Sequence, residues 1–222
     1  MKKLAALLFA IAALFAALAL LQRRDAAPST GTAPTTALTV YCAAGLKQPV
    51  EAIAAKYRAE FGVEVQLQYG PTGALISNLR VAKRGDLFIA ADDGSVADAR
   101  KFELVREVLP LVRQHPVIAV RAGNPKNIRT LADLLRDDVK LALTNPDAAS
   151  ISRVSKAALG DSWGKLAARA TVMKPTVTEI AADLSLGAVD AAILWDATVP
   201  QFKGLVVVEL PELKAHIENA SA

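Results

Sequence analysis

The stretch Leu38–Leu79 constrains this chain most, because it twice carries the backbone from a strand through a small-residue loop to a helix start. Leu38-Thr-Val-Tyr-Cys-Ala43 is a short apolar run with β-branched and aromatic residues, the pattern of a buried strand. Ala44-Gly45 then leads into Leu46–Phe61, where Leu46, Val50, Ile53, Tyr57 and Phe61 recur at helical spacing and Gly62 supplies a natural stop. Val63–Gln68 alternates strictly and predicts a second strand. Tyr69-Gly-Pro-Thr-Gly-Ala-Leu75 opens a second helix, with Thr72 where an N-cap belongs and Leu75, Leu79 and Ala82 on one face. In a parallel α/β sheet such loops lie side by side at the carboxyl edge, where ligands bind. Helix starts there present unpaired N–H groups and a partial positive charge, which suits an anion.

The pattern continues along the chain. Asp86–Ala91 reads as a third buried strand, followed by Asp92-Asp93 at the solvated start of a helix over Gly94–Phe102. Pro116–Val120 and Val139–Thr144 are further strands, and between them Thr130-Leu-Ala-Asp133 resembles a capping box. Asn145–Ser152 is a polar loop that ends at a helix over Ile151–Leu159. Another helix and a short strand at Ala170–Met173 follow, and Thr176-Val-Thr-Glu179 is a capping box that starts a helix at Val177. Val189–Trp195 and Leu205–Leu210 complete the strands. This succession predicts two α/β lobes, 38–112 and 113–210, with a cleft between them and a C-terminal tail over 211–222. The helix starts at Gly45/Leu46, Thr72/Gly73, Ser150/Ile151 and Val177 are candidates to face that cleft.

The N-terminus is of another kind. Met1-Lys2-Lys3 precedes eighteen uncharged apolar residues, Leu4–Leu21, and Arg23-Arg24 follow. A cleaved export signal and an uncleaved membrane anchor over 1–24 both fit, and either places the rest outside the cytoplasmic membrane. Asp25–Ala37, rich in Pro, Thr, Ser and Ala, reads as a linker. The net charge of +4 belongs mostly to this leader: setting aside its four basic residues and Asp25 leaves 22 basic and 21 acidic residues. Charge therefore points to no nucleic-acid partner.

Catalytic signatures are missing. The sequence holds no Gly-x-Ser-x-Gly elbow, Walker loop or Gly-x-Gly-x-x-Gly fingerprint, so neither an enzyme nor a resident cofactor is expected. His115 and His216 lie far apart and read as surface or packing residues, which argues against a cation site. The single cysteine, Cys42, reads as a small buried hydrophobe. What the loops do offer is neutral donors: backbone N–H groups, the Thr72 and Ser150 hydroxyls, and the Trp195 indole.

Tyr41–Leu46, Phe61-Gly62-Val63, Tyr69–Leu75 and Gly85–Asp92 together resemble the molybdate-binding proteins of bacterial ABC importers. Asn145-Pro146-Asp147 and Gly187–Trp195 are similar to second-lobe motifs of that family and its tungstate-binding relatives. The resemblance implies a type II periplasmic binding protein, monomeric, that closes on molybdate or tungstate and delivers it to a membrane permease, touching the membrane only through its N-terminal segment. It assigns ligand contacts to Gly45, Thr72, Ile151, Val177 and Trp195, with Ser150 and Gly73 as additional candidates. Gly45 stands where Ser is usual in the family, and Trp195 where Tyr is common. The positions matching the carboxylate donors of tungstate-type relatives are Ala149 and Val177, which implies no six-fold coordination.

Relatives continue for several tens of residues past the position of Leu210, whereas here only a short helical piece over Leu213–Asn219 is expected. The resemblance thus implies either a truncated product or a first lobe lacking its second crossover, with an uncovered sheet edge. A membrane-tethered sensor or interaction ectodomain of the same fold, and a binder of sulfate or phosphate, stay open as alternatives.

Overall fold

The computed structural model describes residues 37–222, which form one compact unit. The predicted leader and most of the linker lie outside the described residues. The first lobe holds a three-stranded parallel sheet in the order β2-β1-β3, from Leu38–Ala43 (β1), Val65–Gly70 (β2) and Leu87–Ile89 (β3). Each strand feeds a helix: Lys47–Phe61 (α1), after a single 3-10 turn over Ala44–Leu46, then Thr72–Ala82 (α2) and Asp93–Lys101 (α3). With β1 central, the three strand-to-helix loops emerge along one edge, as the sequence pattern requires.

Pro110–Gln114 (β4) leads out of this lobe, and Pro116–Arg121 (β5) enters the second. There the sheet runs β7-β6-β8-β5-β9, from Leu141–Thr144 (β6), Val172–Lys174 (β7), Ala191–Trp195 (β8) and Leu205–Val208 (β9). It is mixed rather than parallel, because β5 runs antiparallel to both β8 and β9. Its helices are Ser150–Leu159 (α4), Asp161–Arg169 (α5) and Val177–Ser185 (α6). The largest apolar core fills this lobe and also takes in Ala43 and Ala91, the residues at the ends of first-lobe strands. The lobes are therefore joined through small side chains that let their backbones approach.

The C-terminal segment departs in part from expectation. The helical piece is only Pro211–Lys214 (α7), and Glu218–Ser221 (β10) is a strand that returns to the first lobe and pairs antiparallel with β4. Ala90 and Ser221 exchange backbone hydrogen bonds of 2.8 and 3.1 Å, so the edge beside β3 is partly covered. The second crossover is thus short rather than missing. Glu-Asn-Ala-Ser carries no alternation, and β4 opens with a proline; each becomes a strand only through the other.

Helix α1 also differs. Leu46 and Val50 pack on the sheet, but Ile53, Tyr57 and Phe61 stay 65, 37 and 57% exposed. Beyond its first turns the helix stands off the sheet, and Ile53 and Tyr57 share an apolar groove with Val40, Leu67 and Leu87.

At the crossover His115 is mostly buried, the packing alternative of the two expected for it. Its ring nitrogens lie 3.1 Å from Asp196 and 3.1 Å from Glu209, at the ends of β8 and β9. This side chain thus ties the β4–β5 crossover to the ends of β8 and β9.

Candidate ligand-binding site

The loops after β1 and β2 meet the starts of α4 and α6 around one small cavity of about 260 Å³, mouth included. Its wall contains Gly45, Thr72, Ser150, Ile151, Val177 and Trp195, six of the seven residues singled out from the sequence. No charged side chain lines it; the remaining wall is mainly Ala, Gly and Pro. Much of that volume is the open mouth; the enclosed part is about 20 Å³, little more than one water needs, so only a small ligand fits.

The local sequence explains how the donors come to be free. Thr72 is not the cap of α2, as predicted, but its first helical residue; Pro71 stands at the cap with its fixed φ of −65°. The Thr72 hydroxyl is therefore not spent on its own helix, although the residue is only 2% exposed. Ser150 likewise follows a cap, Ala149, that has no side-chain oxygen. The first N–H groups of α4, including that of Ile151, have no intrahelical acceptor and find no other among the described residues. At α6 the capping box is complete: Thr176 Oγ1 accepts from Glu179 N at 3.3 Å, and Glu179 accepts from Thr176 N at 3.0 Å. That box leaves the Val177 N–H pointing out of a fixed helix end.

Gly45 is a close-approach position. A Cβ there would stand 3.0 Å from Thr198 Oγ1, 3.0 Å from Val177 Cγ2 and 3.5 Å from Trp195 Cδ1. The carbonyl of Gly45 accepts from Thr198 Oγ1 at 3.3 Å and from Gln201 Nε2 at 2.6 Å. The serine usual in the family has no room here unless these second-lobe side chains give way.

Gly73 is the residue the structure does not bring to the cavity. Its N–H donates to the Ala148 carbonyl at 3.1 Å, across the cleft. A side chain there would press on that same carbonyl, so Gly73 serves the contact between lobes instead of the cavity.

Sequence reasoning missed the ionic contact between the lobes. Asp92 is not solvated but 1% exposed; it caps α3 through Ser95 N and pairs with Arg153 of α4. Arg153 also reaches Ser95 Oγ at 3.0 Å and Asp98 at 3.2 Å. The only sequence signal was an Asp at a cap position, which says nothing about a partner sixty residues away. Beneath the site, burial and the nearby Glu51 push the Cys42 thiol up to about 12, so it stays protonated and inert at neutral pH. The same two causes raise the Tyr69 phenol.

Two α/β lobes closed over a small neutral cavity at their helix starts define a periplasmic-type binding protein. The chain belongs to the bacterial extracellular solute-binding protein family, whose model matches residues 38–218. Members of that family are binding proteins rather than enzymes. Among curated relatives, a Haemophilus influenzae protein described only as a binding protein is 29% identical over 71% of this chain and 65% of its own length. The molybdate-binding protein ModA of Mycobacterium tuberculosis is 27% identical over 54% of this chain and 46% of its own length. The chain thus spans between about half and two thirds of the curated relatives it matches. Among solved structures, the sulfate-binding protein SubI of M. tuberculosis superposes with a TM-score of 0.70 at 20% identity, over 84% of this chain and 75% of that one. That likeness shows the two-lobed fold.

Proposed function

We propose that the protein binds a tetrahedral oxyanion, molybdate or tungstate, outside the cytoplasmic membrane and delivers it to the permease of an ABC importer. The observation that carries this reading is the convergence of uncommitted donors on one cavity without a charged wall. Thr72, Ser150, Ile151, Val177 and Trp195, which carry hydroxyls, helix-start N–H groups and an indole, all line that cavity. Such a set holds an anion through many charge-assisted hydrogen bonds and helix ends, and it neither protonates nor attacks it. The family and the molybdate-binding relative support the same reading. The apolar run Leu4–Leu21 supports export.

Selectivity follows from size. Fixed donors on two closed lobes set a span, and an anion smaller than molybdate leaves some of them unreached. Each hydrogen bond to a charged partner is worth about 1.5–3 kcal/mol, so one or two missing contacts separate molybdate from sulfate by orders of magnitude. Calorimetric titration with molybdate, tungstate, sulfate and phosphate tests the proposal. Tight one-to-one binding of molybdate or tungstate with weak sulfate binding is expected. Absence of heat with all four, from folded protein, refutes it; preference for sulfate or phosphate refutes the choice of anion.

A further inference from the structure

Each of the three strand-to-helix loops of the first lobe touches the second lobe, and the three contacts differ in kind. The loop after β1 accepts hydrogen bonds from Thr198 and Gln201 at the Gly45 carbonyl. The loop after β2 donates from Gly73 to the Ala148 carbonyl. The loop after β3 makes an ion pair, Asp92 with Arg153. Arg153 lies one turn inside α4, the helix whose first residues, Ser150 and Ile151, line the cavity. Any motion that brings Ser150 to Thr72 therefore also brings Arg153 to Asp92.

The seat for the guanidinium is built. Position 94 is glycine, and a Cβ there would lie 3.1 Å from both Arg153 Nη2 and Asp92 Oδ2. Ser95 Oγ accepts from the same Nη2 and Asp98 from Nη1, so α3 and its cap supply the guanidinium's partners among the described residues. Asp92 is buried while Arg153 is 43% exposed in its side chain. A carboxylate at that depth is costly without its cation, so separating the lobes must return it to water. Desolvation lowers the basicity of Arg153, but Asp92 and Asp98 outweigh it and hold the net shift upward.

We propose that Arg153 is a positioning residue that latches the closed form, pairing with Asp92 only when the lobes meet and so slowing ligand release without touching the ligand. This rests on the anion-binding reading for its ligand, but the latch itself is a property of the lobes alone.

The test is stopped-flow fluorescence with molybdate, using Trp195 in the cavity wall as reporter, together with small-angle scattering of the ligand-free protein. Arg153→Ala is expected to speed release by roughly tenfold while changing association by less than about threefold, as for a partly buried charge pair that acts on dissociation. Arg153→Lys should recover part of the loss. Asp92→Asn, which keeps a capping side chain, should also speed release, and the double variant should be no faster than the faster single variant. Salt should speed release from wild type but not from Arg153→Ala. Ligand-free Arg153→Ala should scatter as a more open particle than wild type. Unchanged release and unchanged scattering in a folded Arg153→Ala protein would overturn the proposal. Should that variant misfold, Asp92→Asn decides by the same two readouts. Failure of wild type to respond to molybdate sinks the anion reading, while the ligand-free scattering still judges the latch.

Discussion

Replacing Gly45 by alanine tests whether this backbone position sets how far the lobes close. The added Cβ meets Thr198 Oγ1 and Val177 Cγ2 at 3.0 Å each, closer than ordinary van der Waals contact. Neither neighbour retreats freely. Thr198 is fully buried and donates its hydroxyl to the Gly45 carbonyl, and Val177 stands at a helix end fixed by the Thr176–Glu179 box. Overpacking of this kind costs about 1–3 kcal/mol. Because both neighbours belong to the second lobe, the cost falls on the closed form and appears as about 5-fold to about 150-fold weaker binding of the anion. The open form is spared; there the loss of glycine's freedom in the unfolded chain favours the variant by about 0.4–1 kcal/mol. Calorimetry with molybdate, alongside thermal melts without ligand, should show weakened affinity and no drop in ligand-free midpoint. Gly45→Ser carries the same steric cost but adds a donor worth about 1.5–3 kcal/mol, so it should bind more tightly than Gly45→Ala. Adding Val177→Ala to Gly45→Ala should restore part of the loss, since the backbone N–H is retained. Wild-type affinity in Gly45→Ala would refute the reasoning.

Thr72→Ala removes a hydroxyl that no cap consumes and should weaken molybdate binding about 10-fold or more in the same titration; unchanged affinity would show the site misplaced. Glu218→Gln should stabilise the protein modestly at neutral pH, because burial first, and then Asp92 and Asp93, raise the Glu218 carboxyl above its ordinary value. A raised carboxyl is favoured protonated in the fold, so wild-type stability falls as pH climbs from the ordinary carboxylate range through the raised value. The gain from glutamine, on the order of 0.5 kcal/mol or about 1–2 °C after allowance for solvent screening, should therefore vanish in acid, as melts across pH would show. His115→Ala should cost about 1–2 kcal/mol in denaturant titration by removing the ring that bridges Asp196 and Glu209 at the crossover; no loss would show that the histidine contributes no net stability there.

Local signals carried the cavity and non-local ones did not. The helix starts at Thr72, Ser150 and Val177 were readable because loop and cap residues act within a few positions of themselves. Even there the detail shifted: the cap of α2 is Pro71, and that shift frees the Thr72 hydroxyl. The return strand β10 was not readable, since Glu-Asn-Ala-Ser has neither alternation nor β-branching and owes its form to β4. The stripe Ile53, Tyr57 and Phe61 announced burial by period alone, but period states which residues share a face and not whether a sheet lies under it. Asp92 and Arg153 could not be paired from sequence, because nothing at either position encodes the distance between lobes.

A dianion in the proposed site would sit among neutral donors, with Arg153, a cation at the contact between the lobes, already committed to a buried carboxylate. Were Arg153 free, its charge would attract any anion, sulfate and phosphate included, at a distance and without regard to size. With Asp92 holding it, attraction rests on dipoles and hydrogen bonds that act only at contact, so affinity depends on how many donors the oxygens reach. Pairing the charge outside the cavity thus serves closure and size selection together. The two roles separate because Asp92→Asn unlatches the lobes and releases the guanidinium, whereas Arg153→Ala unlatches them and leaves the buried carboxylate instead. Sulfate should therefore gain on molybdate in Asp92→Asn and not in Arg153→Ala. Equal anion ratios in the two variants would show that the arginine's charge is not felt in the cavity.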